Sequence, residues 1–475
     1  MGSEWKIVRL GDIAENISRP FDFSDRDSVV FINTGDVLEG KFLHSNRVFS
    51  NGLPGQAKKR IEIGDILFSE IRPANKRYAL VDFEPEDYVV STKFMVIQLL
   101  TNDIDPDYFY LQITNNSTLN EFQRIAESRS GTFPQITFDA VSHFPIILPP
   151  LPEQRAIAHI LGSLDDKIEL NRQMNRTLEA MAQAIFKSWF VDFLPVRAKQ
   201  SARTQTGDPV HAKAKGRDTL PAPQSEAVRQ ACGLPPEIVD LFPDSFEPSE
   251  LGLLPRGWKP VQLAELIELI GGGTPKTSNV EYWNGDIRWF SVVDAPDSSD
   301  VFVIDTEKHI TISGLQNSST KILPFGATII SARGTVGKCA LVGTPMAMNQ
   351  SCYGIAGING RGSYFTYFLI RKQVSDLQRS GHGSVFNTIT RDTFKSIISI
   401  DTGSEITQQF DKYVDPFLRL IHTNLHEIEA LKQQRDVLLP KLISGELRLP
   451  AEAIEKFSAQ AGVPDVEAIL KEAGL

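Results

Sequence analysis

Two stretches of the chain carry apolar residues at alternating steps of four and three, the spacing of a helix that packs along another helix. The spacing predicts long helices at about 164–190 and 417–443. One position in each seam is an asparagine, Asn171 in the first helix and Asn424 in the second. A polar seam residue commonly fixes the register of a helix pair at some cost in stability. The residues predicted to make the pairing contacts are Ile168, Asn171, Leu178, Ile185, Ile421, Asn424, Leu431 and Leu438.

The helical stretches belong to a repeat that runs through the chain. WKIVRL begins at position 5 and WKPVQL begins at position 258, which is 253 residues later. The same shift carries FPQITFD at 133–139 onto FNTITRD at 386–392, and it carries Asn171 onto Asn424. The middle of the repeat is looser, since GDILFSEIRPANKRYALV resembles GATIISARGTVGKCALV at a slightly larger shift. Each half is therefore predicted to be one globular unit followed by one long helix.

Both helical stretches contain a dipeptide that is poor in the middle of a helix. The GS at 162–163 aligns with the DP at 415–416. Proline is accepted in the first turn of a helix, and serine or aspartate can cap one. We therefore expect a short helix, a break and then the main helix in each copy. Pro152 suits a first turn, and Gly445 suits a C-cap.

The globular units have mixed character, with strand patterns such as DILFSEI and helix patterns such as SYFTYFLIRKQVSDLQ. The predicted fold class is α+β, with two repeated α/β units separated by a long antiparallel coiled coil of two helices. Pairing within the chain is favoured because the intervening unit returns the chain; the alternative is that each helix packs only on its own unit. The predicted segments are a first unit at 1–150, a first helical spacer at 151–194, a connector at 195–255, a second unit at 256–403, a second helical spacer at 404–449 and a tail at 450–475.

The connector differs in composition from its neighbours. Its basic residues stand among Ser, Thr, Gln, Gly and Pro, which predicts a flexible segment that either touches DNA or is simply solvated. These basic residues are Arg197, Lys199, Arg203, Lys213, Lys215 and Arg217.

Composition narrows the class of protein. The chain has 475 residues, of which 41% are hydrophobic and 23% charged, with a net charge of −10. These values are typical of a soluble protein of roughly three domains. Cys232, Cys339 and Cys352 are too scattered for a disulfide framework or a zinc site, and no apolar run approaches the roughly 20 residues of a membrane span. We expect a cytoplasmic protein without membrane attachment. The negative net charge still allows DNA binding, because binding depends on local basic patches and not on the total charge.

The common catalytic signatures are missing from the sequence. GGGTP at 271–275 lacks the lysine of a phosphate-binding loop and is expected to form a turn with close backbone approach. His422 and His426 have the spacing of a zinc-binding helix, but Thr423 stands where the catalytic glutamate would be. We expect these histidines on an exposed helix face, and neither a metal nor a catalytic residue in this chain. A nuclease with an unrecognised carboxylate–lysine site stays an alternative.

Several segments resemble the DNA-specificity subunits of type I restriction–modification enzymes. The central helical region of that family resembles LPPLPEQRAIAHILGSLDDKIELNRQMNRTLEAMAQAIFKSWFVDF at 148–193, and its C-terminal helical region resembles LKQQRDVLLPKLISGEL at 431–447. One of its target-recognition domains resembles the sequences at 257–289 and 331–341. The lead-in to its second domain resembles FPDSFEPSELGLLPRGW at 242–258. The resemblance covers almost the whole chain and the order of its parts.

The resemblance implies that each globular unit is a target-recognition domain that reads one half of a split sequence in double-stranded DNA. It also implies that the helical spacers pair antiparallel and dock two copies of the adenine-methylating (M) subunit, and that restriction and translocation (R) subunits complete the complex. No cofactor is then expected in this chain, because S-adenosylmethionine, ATP and magnesium belong to the partner subunits. The chain itself would be a non-catalytic recognition subunit. The rival from another class is a helix-mediated scaffold without DNA specificity.

DNA reading by each unit needs Arg, Lys, Asn or Gln on exposed loops, with basic residues and backbone N–H groups for the phosphates. In the first unit the candidates are Arg72, Asn75, Lys76, Arg77, Arg129, Ser130, Thr132 and Gln135. In the second unit they are Thr274, Lys276, Thr277, Tyr282, Arg333, Thr335, Lys338, His382, Ser384 and Asn387. For each of them the alternative is an ordinary turn residue.

Three residues of the first helix are candidates for docking the methylating subunit. Asn175 has no asparagine counterpart in the repeat, since Ile428 stands there, and its amide is expected to face a partner. Trp189 and Phe190 end the helix and are expected either in a core or, as the resemblance favours, in the docking surface.

Overall fold

The chain divides into two compact units. The computed structural model describes residues 5–129, 132–205, 233–296, 300–380, 388–452 and 454. Unit 1 comprises the described residues of Met1–Lys167 and Ala430–Leu475, and unit 2 comprises those of Ile168–Glu429.

Short strands and helices make up the first part of unit 1. The strands are β1 (Lys6–Arg9), β2 (Ala14–Ile17), β3 (Arg19–Pro20), β4 (Ser28–Ile32), β5 (Val37–Leu38), β6 (Lys41–Phe42), β7 (Arg47–Phe49), β8 (Ala57–Arg60), β9 (Ile66–Ser69), β10 (Tyr78–Leu80), β11 (Tyr88–Ser91), β12 (Phe94–Leu99) and β13 (Pro145–Leu148). The helices are α1 (Leu10–Ile13), α2 (Pro106–Thr114), α3 (Asn116–Arg129) and α4 (Phe138–Val141), with 3₁₀ turns at Thr34–Asp36 and Pro73–Asn75.

Two sheets organise this part of unit 1. One has the strand order β10-β9-β12-β2 and is antiparallel; the other has the order β3-β8-β11-β4-β7, in which β11 and β4 are parallel. All four residues of β9 are buried, which explains why the first three of them, Ile66 to Phe68, are apolar without alternation. Helix α2 begins where Asp105 accepts a hydrogen bond from the backbone N–H of Tyr108 and Pro106 occupies the first turn.

The chain then forms the first long helix and the second sheet region. In order, the elements are α5 (Leu151–Phe190), α6 (Leu194–Gln205), α7 (Pro236–Val239), β14 (Phe246–Ser249), β15 (Gly252–Pro255), β16 (Lys259–Gln262), β17 (Ile267–Gly271), β18 (Trp283–Phe290), β19 (Phe302–Val303), β20 (His309–Ile310), α8 (Ile312–Gln316), β21 (Thr328–Ser331), β22 (Cys339–Val342), β23 (Ala347–Met348), β24 (Cys352–Gly357), α9 (Ser363–Arg379), α10 (Arg391–Ser396), β25 (Ile398–Asp401) and α11 (Ser404–Ser444). The 3₁₀ turns are Leu263–Glu265, Val280–Tyr282 and Val292–Asp294.

The repeat seen in the sequence is present in the secondary structure. Strand β1 pairs with β13, and β16 pairs with β25, each 253 residues further along. The long helices begin at Leu151 and Ser404, again 253 residues apart. The sheet order β10-β9-β12-β2 of unit 1 recurs in unit 2 as β22-β21-β24-β17. The predicted fold class, two repeated α/β units and a pair of long helices, is confirmed.

The predicted break in each long helix is wrong. Helix α5 is continuous over 40 residues and α11 over 41 residues, with Gly162 and Pro416 in their interiors. Interior glycine costs about 1 kcal/mol and interior proline about 3 kcal/mol relative to alanine. Buried neighbours offset these costs, since Leu161 beside the glycine and Val414 before the proline are both 0% exposed. Among the described residues, no helix is apolar enough over a sufficient length to span a bilayer.

The two long helices run antiparallel. In unit 2 the Asn171 side-chain amide donates to the Glu427 carboxylate at 2.9 Å, and the Asn424 amide donates to the Asn175 side-chain oxygen at 2.9 Å. As the residue number rises on α5, it falls on α11. In unit 1 the same order brings Arg435 of α11 to Asp165 of α5 at 2.6 Å.

Most of the predicted pairing residues are buried in these helices. Leu178 and Ile185 are only half-buried, because Glu179, Ala182 and Phe186 take the more buried positions. The other six are 8% exposed or less: Ile168, Asn171, Ile421, Asn424, Leu431 and Leu438.

Asn175 lies in the seam of unit 2. Its side chain is 0% exposed and accepts the hydrogen bond from Asn424. The expectation that the Asn175 amide faces a partner subunit is therefore wrong, and Asn175, not Asn171, shares a layer with Asn424. Among the described residues, the Asn175 side-chain nitrogen has no hydrogen-bond partner.

Part of the predicted flexible connector is ordered. Helix α6 covers the start of the connector, and Lys199 within it is 0% exposed. Its ammonium donates to the carbonyl of Val239 at the end of α7 at 3.2 Å and to that of Phe242 just after α7 at 2.6 Å. This lysine is therefore a packing residue and not a solvated charge. Lys213, Lys215 and Arg217 lie outside the described residues.

The Asn175–Asn424 layer yields a stability prediction. Asn424→Leu leaves a buried Asn175 amide unpaired, so we expect the free energy of unfolding to fall by about 1–3 kcal/mol. Replacing both residues with leucine removes the unpaired group and should restore most of the lost stability. A double-mutant cycle by urea denaturation measures the coupling.

Thr423→Leu on the exposed face of α11 serves as the matched control, and we expect a change within about 0.5 kcal/mol. A double variant whose loss equals the sum of the two single losses would contradict this role for the amide layer.

Candidate nucleic-acid interface

The β9–β10 loop of unit 1 contains four of the predicted DNA contacts. It is built around the Pro73–Asn75 turn, and Arg72 and Lys76 on either side have φ angles of +44° and +54°. Side chains other than glycine adopt this left-handed conformation at a cost, and such residues concentrate at functional sites. Arg72 and Asn75 are exposed.

The segment after α3 crosses this loop and brings the two predicted groups of unit 1 together. The Arg72 backbone N–H donates to the Pro134 carbonyl at 3.0 Å, and the Ile136 N–H donates to the Glu70 carbonyl at 2.9 Å. Gln135 lies between these two contacts and is exposed. Two separate stretches of sequence therefore form one surface.

Not every predicted residue of unit 1 is available to a ligand in the same way. Lys76 forms an ion pair with Glu39 at 2.9 Å, and Arg77 donates to the carbonyls of Gly35 at 2.9 Å and Val37 at 3.0 Å. Both residues hold the β5–β6 hairpin against the loop. This contact supports the alternative that they are ordinary turn residues.

The end of α3 and the segment that follows it supply the rest of this surface. Arg129 is exposed and donates to the Thr137 hydroxyl at 3.0 Å, and Thr132 is exposed nearby in sequence. Ser130 lies outside the described residues. The sequence interpretation missed Phe133, which is 68% exposed between these polar residues.

The β21–β22 loop is the counterpart in unit 2. Arg333 and Thr335 are exposed and Lys338 is half-exposed. The Ile389 backbone N–H donates to the Ala332 carbonyl at 3.0 Å, which repeats the Ile136–Glu70 contact of unit 1. His382, Ser384 and Asn387 lie outside the described residues.

The glycine-rich segment at 271–275 lies close to the backbone of its own unit. Gly273 N–H donates to the Met348 carbonyl at 3.0 Å, and the Trp289 indole N–H donates to the Gly273 carbonyl at 3.0 Å. A Cβ atom at Gly272 would overlap the Asn349 carbonyl. The predicted close approach is therefore present, and its partner is protein.

Side chains that follow the glycines are presented to solvent. Lys276 and Thr277 are exposed, and Tyr282 is half-exposed at the end of its 3₁₀ turn. The Thr274 hydroxyl donates to the Gln350 side-chain oxygen, a partner that no sequence pattern indicated.

Trp189 and Phe190 lie in an aromatic core of unit 2. They are 1% and 5% exposed, and both rings contact the ring of Phe410 on α11. Their burial supports the core alternative and not the docking one. The exposed apolar residues of α5 are instead Leu170, Met174 and Met181, at 57%, 37% and 44%.

Thiol and imidazole groups of unit 2 are tied into packing. Burial raises the pKa of Cys339 and of Cys352 to about 12, so neither thiol is a nucleophile at neutral pH. His422 is half-buried and contacts the Gly343 carbonyl at 2.7 Å, so the expectation of an exposed helix face is wrong for His422, whereas His426 is exposed as expected. Burial lowers the pKa of His426, and His422 beside it lowers that pKa further. Among the described residues, no three His, Cys, Asp or Glu side chains form a group suited to a metal ion.

Comparisons with known proteins place these features in a family. The family model of the type I restriction modification DNA specificity domain matches the chain twice, at residues 2–180 and 255–430. The type I restriction enzyme HindI specificity subunit of Haemophilus influenzae is 39% identical over 465 residues, which cover 94% of this chain and 100% of that protein. The putative type I restriction enzyme MjaX specificity subunit of Methanocaldococcus jannaschii is 22% identical over 412 residues, covering 83% of this chain and 80% of that protein.

A solved structure agrees at the level of the fold. The crystal structure of the type I restriction–modification system S subunit from M. genitalium has a TM-score of 0.50 at 13% identity, over 93% of this chain and 96% of that one. The double match of the family model has the same two-copy organisation as the sheets and helices described above. The chain therefore belongs to the family of type I restriction–modification DNA-specificity subunits, which are non-catalytic and carry no cofactor of their own.

Proposed function

We propose that this chain gives a type I restriction–modification complex a split DNA target, with one half read by each target-recognition domain. The observation that carries the proposal is a recognition frame present twice, once in each unit. In each copy a backbone hydrogen bond joins a hairpin loop to the segment after a helix, from Ile136 to Glu70 at 2.9 Å and from Ile389 to Ala332 at 3.0 Å.

The side chains carried by these two frames differ, which suits two different half-sequences. Unit 1 presents Arg72, Asn75 and Gln135, and unit 2 presents Arg333 and Thr335. Arginine suits guanine and phosphate, whereas asparagine and glutamine suit adenine. The net charge of −10 is compatible with this role, because these groups act locally.

We propose that the long helices set the distance between the half-sites. A helix of 40 residues is about 60 Å long, and two readers on one face of a duplex must be about 34 Å apart or a multiple of it. The length of the helical seam between the domains would then determine the gap in the target.

We further propose that the helices dock two methylating subunits through exposed apolar residues. Leu170, Met174 and Met181 recur on α5 at steps of four and seven, which places them on one face. On α11, Leu420 and Val437 are 41% and 52% exposed and are candidates for the second copy.

The partners would supply the chemistry of the complex. We propose S-adenosylmethionine on the methylating subunits, ATP and magnesium on the restriction subunits, and a cytoplasmic location in a prokaryotic cell. A scaffold without DNA specificity would show no preference for any sequence over random duplex. A nuclease would cleave DNA as the purified chain alone with magnesium.

Removing basic residues from one domain at a time tests DNA reading. In the complex with the methylating subunit, Arg72→Ala with Arg129→Ala should weaken binding to the target at least tenfold and reduce the salt slope by about 2. Filter binding measures the affinity, and methylome sequencing of the source cell defines the target.

Arg256→Ala with Lys259→Ala is the matched control, because both residues are exposed and the same charge is removed elsewhere. Equal weakening by the control, or wild-type complex without sequence preference, would overturn the proposed reading.

Shortening both helices tests whether their length sets the distance between the half-sites. Deleting 172–178 and 421–427 removes matched heptads, each centred on the Asn175–Asn424 pair. The deletion shortens the seam by about 10 Å, so methylome sequencing should show both half-sequences with a gap about 3 base pairs shorter.

A control variant keeps the length and replaces the same heptads with other heptads of matching apolar positions, and its gap should be unchanged. An unchanged gap in the shortened variant would contradict the proposal that helix length sets the gap.

Negative charges placed on the exposed apolar stripe of α5, formed by Leu170, Met174 and Met181, test the proposed docking of the methylating subunit. Met174→Glu with Met181→Glu should reduce capture of the methylating subunit at least 100-fold without changing the melting temperature, because it buries two carboxylates at the contact. Gln173→Glu with Ala180→Glu places the same charges at the same spacing on another exposed face. If both double variants capture the subunit normally, the stripe is not the docking surface.

A further inference from the structure

Gln350 lies at the tip of the turn that leads into β24 of unit 2. Its side chain is exposed, whereas the residues on either side of it, Asn349 and Ser351, are half-buried. The Asn349 N–H donates to the Phe290 carbonyl at 2.8 Å, and the Ser351 N–H donates to the Asn349 side-chain oxygen at 2.9 Å. Hydrogen bonds on both sides therefore give the glutamine a defined position.

The turn belongs to the edge of the sheet that carries predicted DNA contacts of unit 2. Strands β17, β24, β21 and β22 are neighbours in this order and run antiparallel. The end of β17, the start of β24, the end of β21 and the start of β22 consequently share one edge. Lys276 follows β17, and Arg333 lies between β21 and β22. The sequence patterns indicated these two residues but not Gln350, which lies at the same edge.

The turn is also a third segment of the recognition frame. The Ala332 N–H donates to the Ser351 carbonyl at 2.8 Å, and the Ala332 carbonyl accepts the Ile389 N–H at 3.0 Å. Unit 1 repeats the first of these contacts, since the Glu70 N–H donates to the Lys93 carbonyl at 3.0 Å. In both units the turn therefore lies directly beside the hairpin loop that carries a candidate arginine.

Different side chains occupy this turn in the two units. Gln350 and Ser351 immediately precede β24, and Thr92 and Lys93 immediately precede the equivalent strand β12. All four side chains are exposed or half-buried. A turn with a repeated backbone and unlike side chains is suited to reading unlike half-sequences.

A hydrogen bond from the glycine-rich segment orients the Gln350 amide. The Thr274 hydroxyl donates to the Gln350 side-chain oxygen. The two segments lie in direct contact, because a Cβ atom at Gly272 would overlap the Asn349 carbonyl. The hydroxyl holds the amide oxygen on the side of Thr274, and the amide nitrogen is directed to the other side.

An amide oriented in this way has the donor and the acceptor that an adenine edge requires. In the major groove, adenine presents N7 as an acceptor and its N6 amino group as a donor, and glutamine binds both. The Gln350 oxygen can accept a second hydrogen bond while it holds the Thr274 hydroxyl, because an amide oxygen has two lone pairs. Lys276 on the same edge suits a flanking phosphate.

We propose that Gln350 reads an adenine in the half-site of the second domain, and that Thr274 is a positioning residue that orients its amide. The inference rests on the proposed function, because it assigns a specificity residue to one of the two recognition domains. The adenine is one other than the base that becomes methylated, since methyltransferases extrude that base from the stack. Thr274, itself a predicted DNA contact, would then act through Gln350.

The test uses the complex of the full chain with its methylating subunit. Methylome sequencing of the source cell defines the target, and filter binding compares duplexes that carry each of the four base pairs at each position of both half-sites. Gln350→Ala should reduce the preference for A·T about tenfold at one position of one half-site and leave all other positions unchanged. Gln350→Arg should transfer the preference at that position to G·C, because arginine binds O6 and N7 of guanine.

A double-mutant cycle tests the role of Thr274. Thr274→Val removes the hydroxyl donor, and it should lower the preference at the same position by a smaller factor with an unchanged salt slope. Because Thr274 acts through Gln350, the double variant with Gln350→Ala should behave as Gln350→Ala alone. A further loss in the double variant would show a separate contact of Thr274 and would overturn its positioning role.

Gln408→Ala is the matched control for Gln350→Ala. Gln408 is an exposed glutamine of α11 that also makes a hydrogen bond, to the Gly360 carbonyl at 2.6 Å, beyond the opposite end of β24. Its replacement should leave the preference at every position as in wild type.

An unchanged preference in Gln350→Ala would overturn the proposed reading. So would a change at a position that is G·C in the wild-type target, which excludes adenine, or an equal loss for every duplex, which indicates a contact with the DNA backbone. Failure of the proposed function is distinguishable, because wild-type complex would then show no sequence preference at all.

Discussion

The polar layers in the seam between α5 and α11 are the constraint on which the rest of the structure depends. Leucine layers tolerate a shift of one heptad, whereas a buried amide that loses its partner carries a desolvation cost. The Asn424–Asn175 and Asn171–Glu427 hydrogen bonds of unit 2 therefore select one register of the two helices. Because both helices also run through unit 1, a shift of register would disturb the helix contacts of both units.

Each sheet region is anchored to the helix pair, and the repeat uses different chemistry at equivalent positions. In unit 1 the Trp5 indole N–H donates to Glu153 at 3.0 Å, and Arg448 binds the same carboxylate at 3.0 and 3.1 Å. In unit 2 the counterpart tryptophan, Trp258, packs instead against the rings of Phe190 and Phe193. The anchor position is repeated, but one copy is an ionic cluster and the other is aromatic.

The sequence predicted those features that follow from periodicity, and it missed those that depend on competing energies. Heptad spacing and the 253-residue shift were sufficient to predict two long helices and a repeated mixed unit, but not the strand order of its sheets. The break expected at Gly162 was wrong because burial of neighbouring side chains outweighs a propensity cost of about 1 kcal/mol. The burial of Asn175 follows from the pairing register, and the exposure of Phe133 follows from how its segment crosses the β9–β10 loop. Neither fact can be derived from residue type alone.

The way in which the β9–β10 and β21–β22 loops are held would suit one scaffold to the two half-sites that we propose. The contacts that join the hairpin loop to the crossing segment are backbone to backbone in both units, as in Ile136 to Glu70 and Ile389 to Ala332. Such hydrogen bonds depend on main-chain position and not on side-chain identity. Arg72 and Gln135 can therefore change without loss of the frame, whereas the buried Ile136 cannot. If the two units read DNA as we propose, a frame whose exposed positions can be replaced independently of its anchors would allow a new DNA target without a new fold.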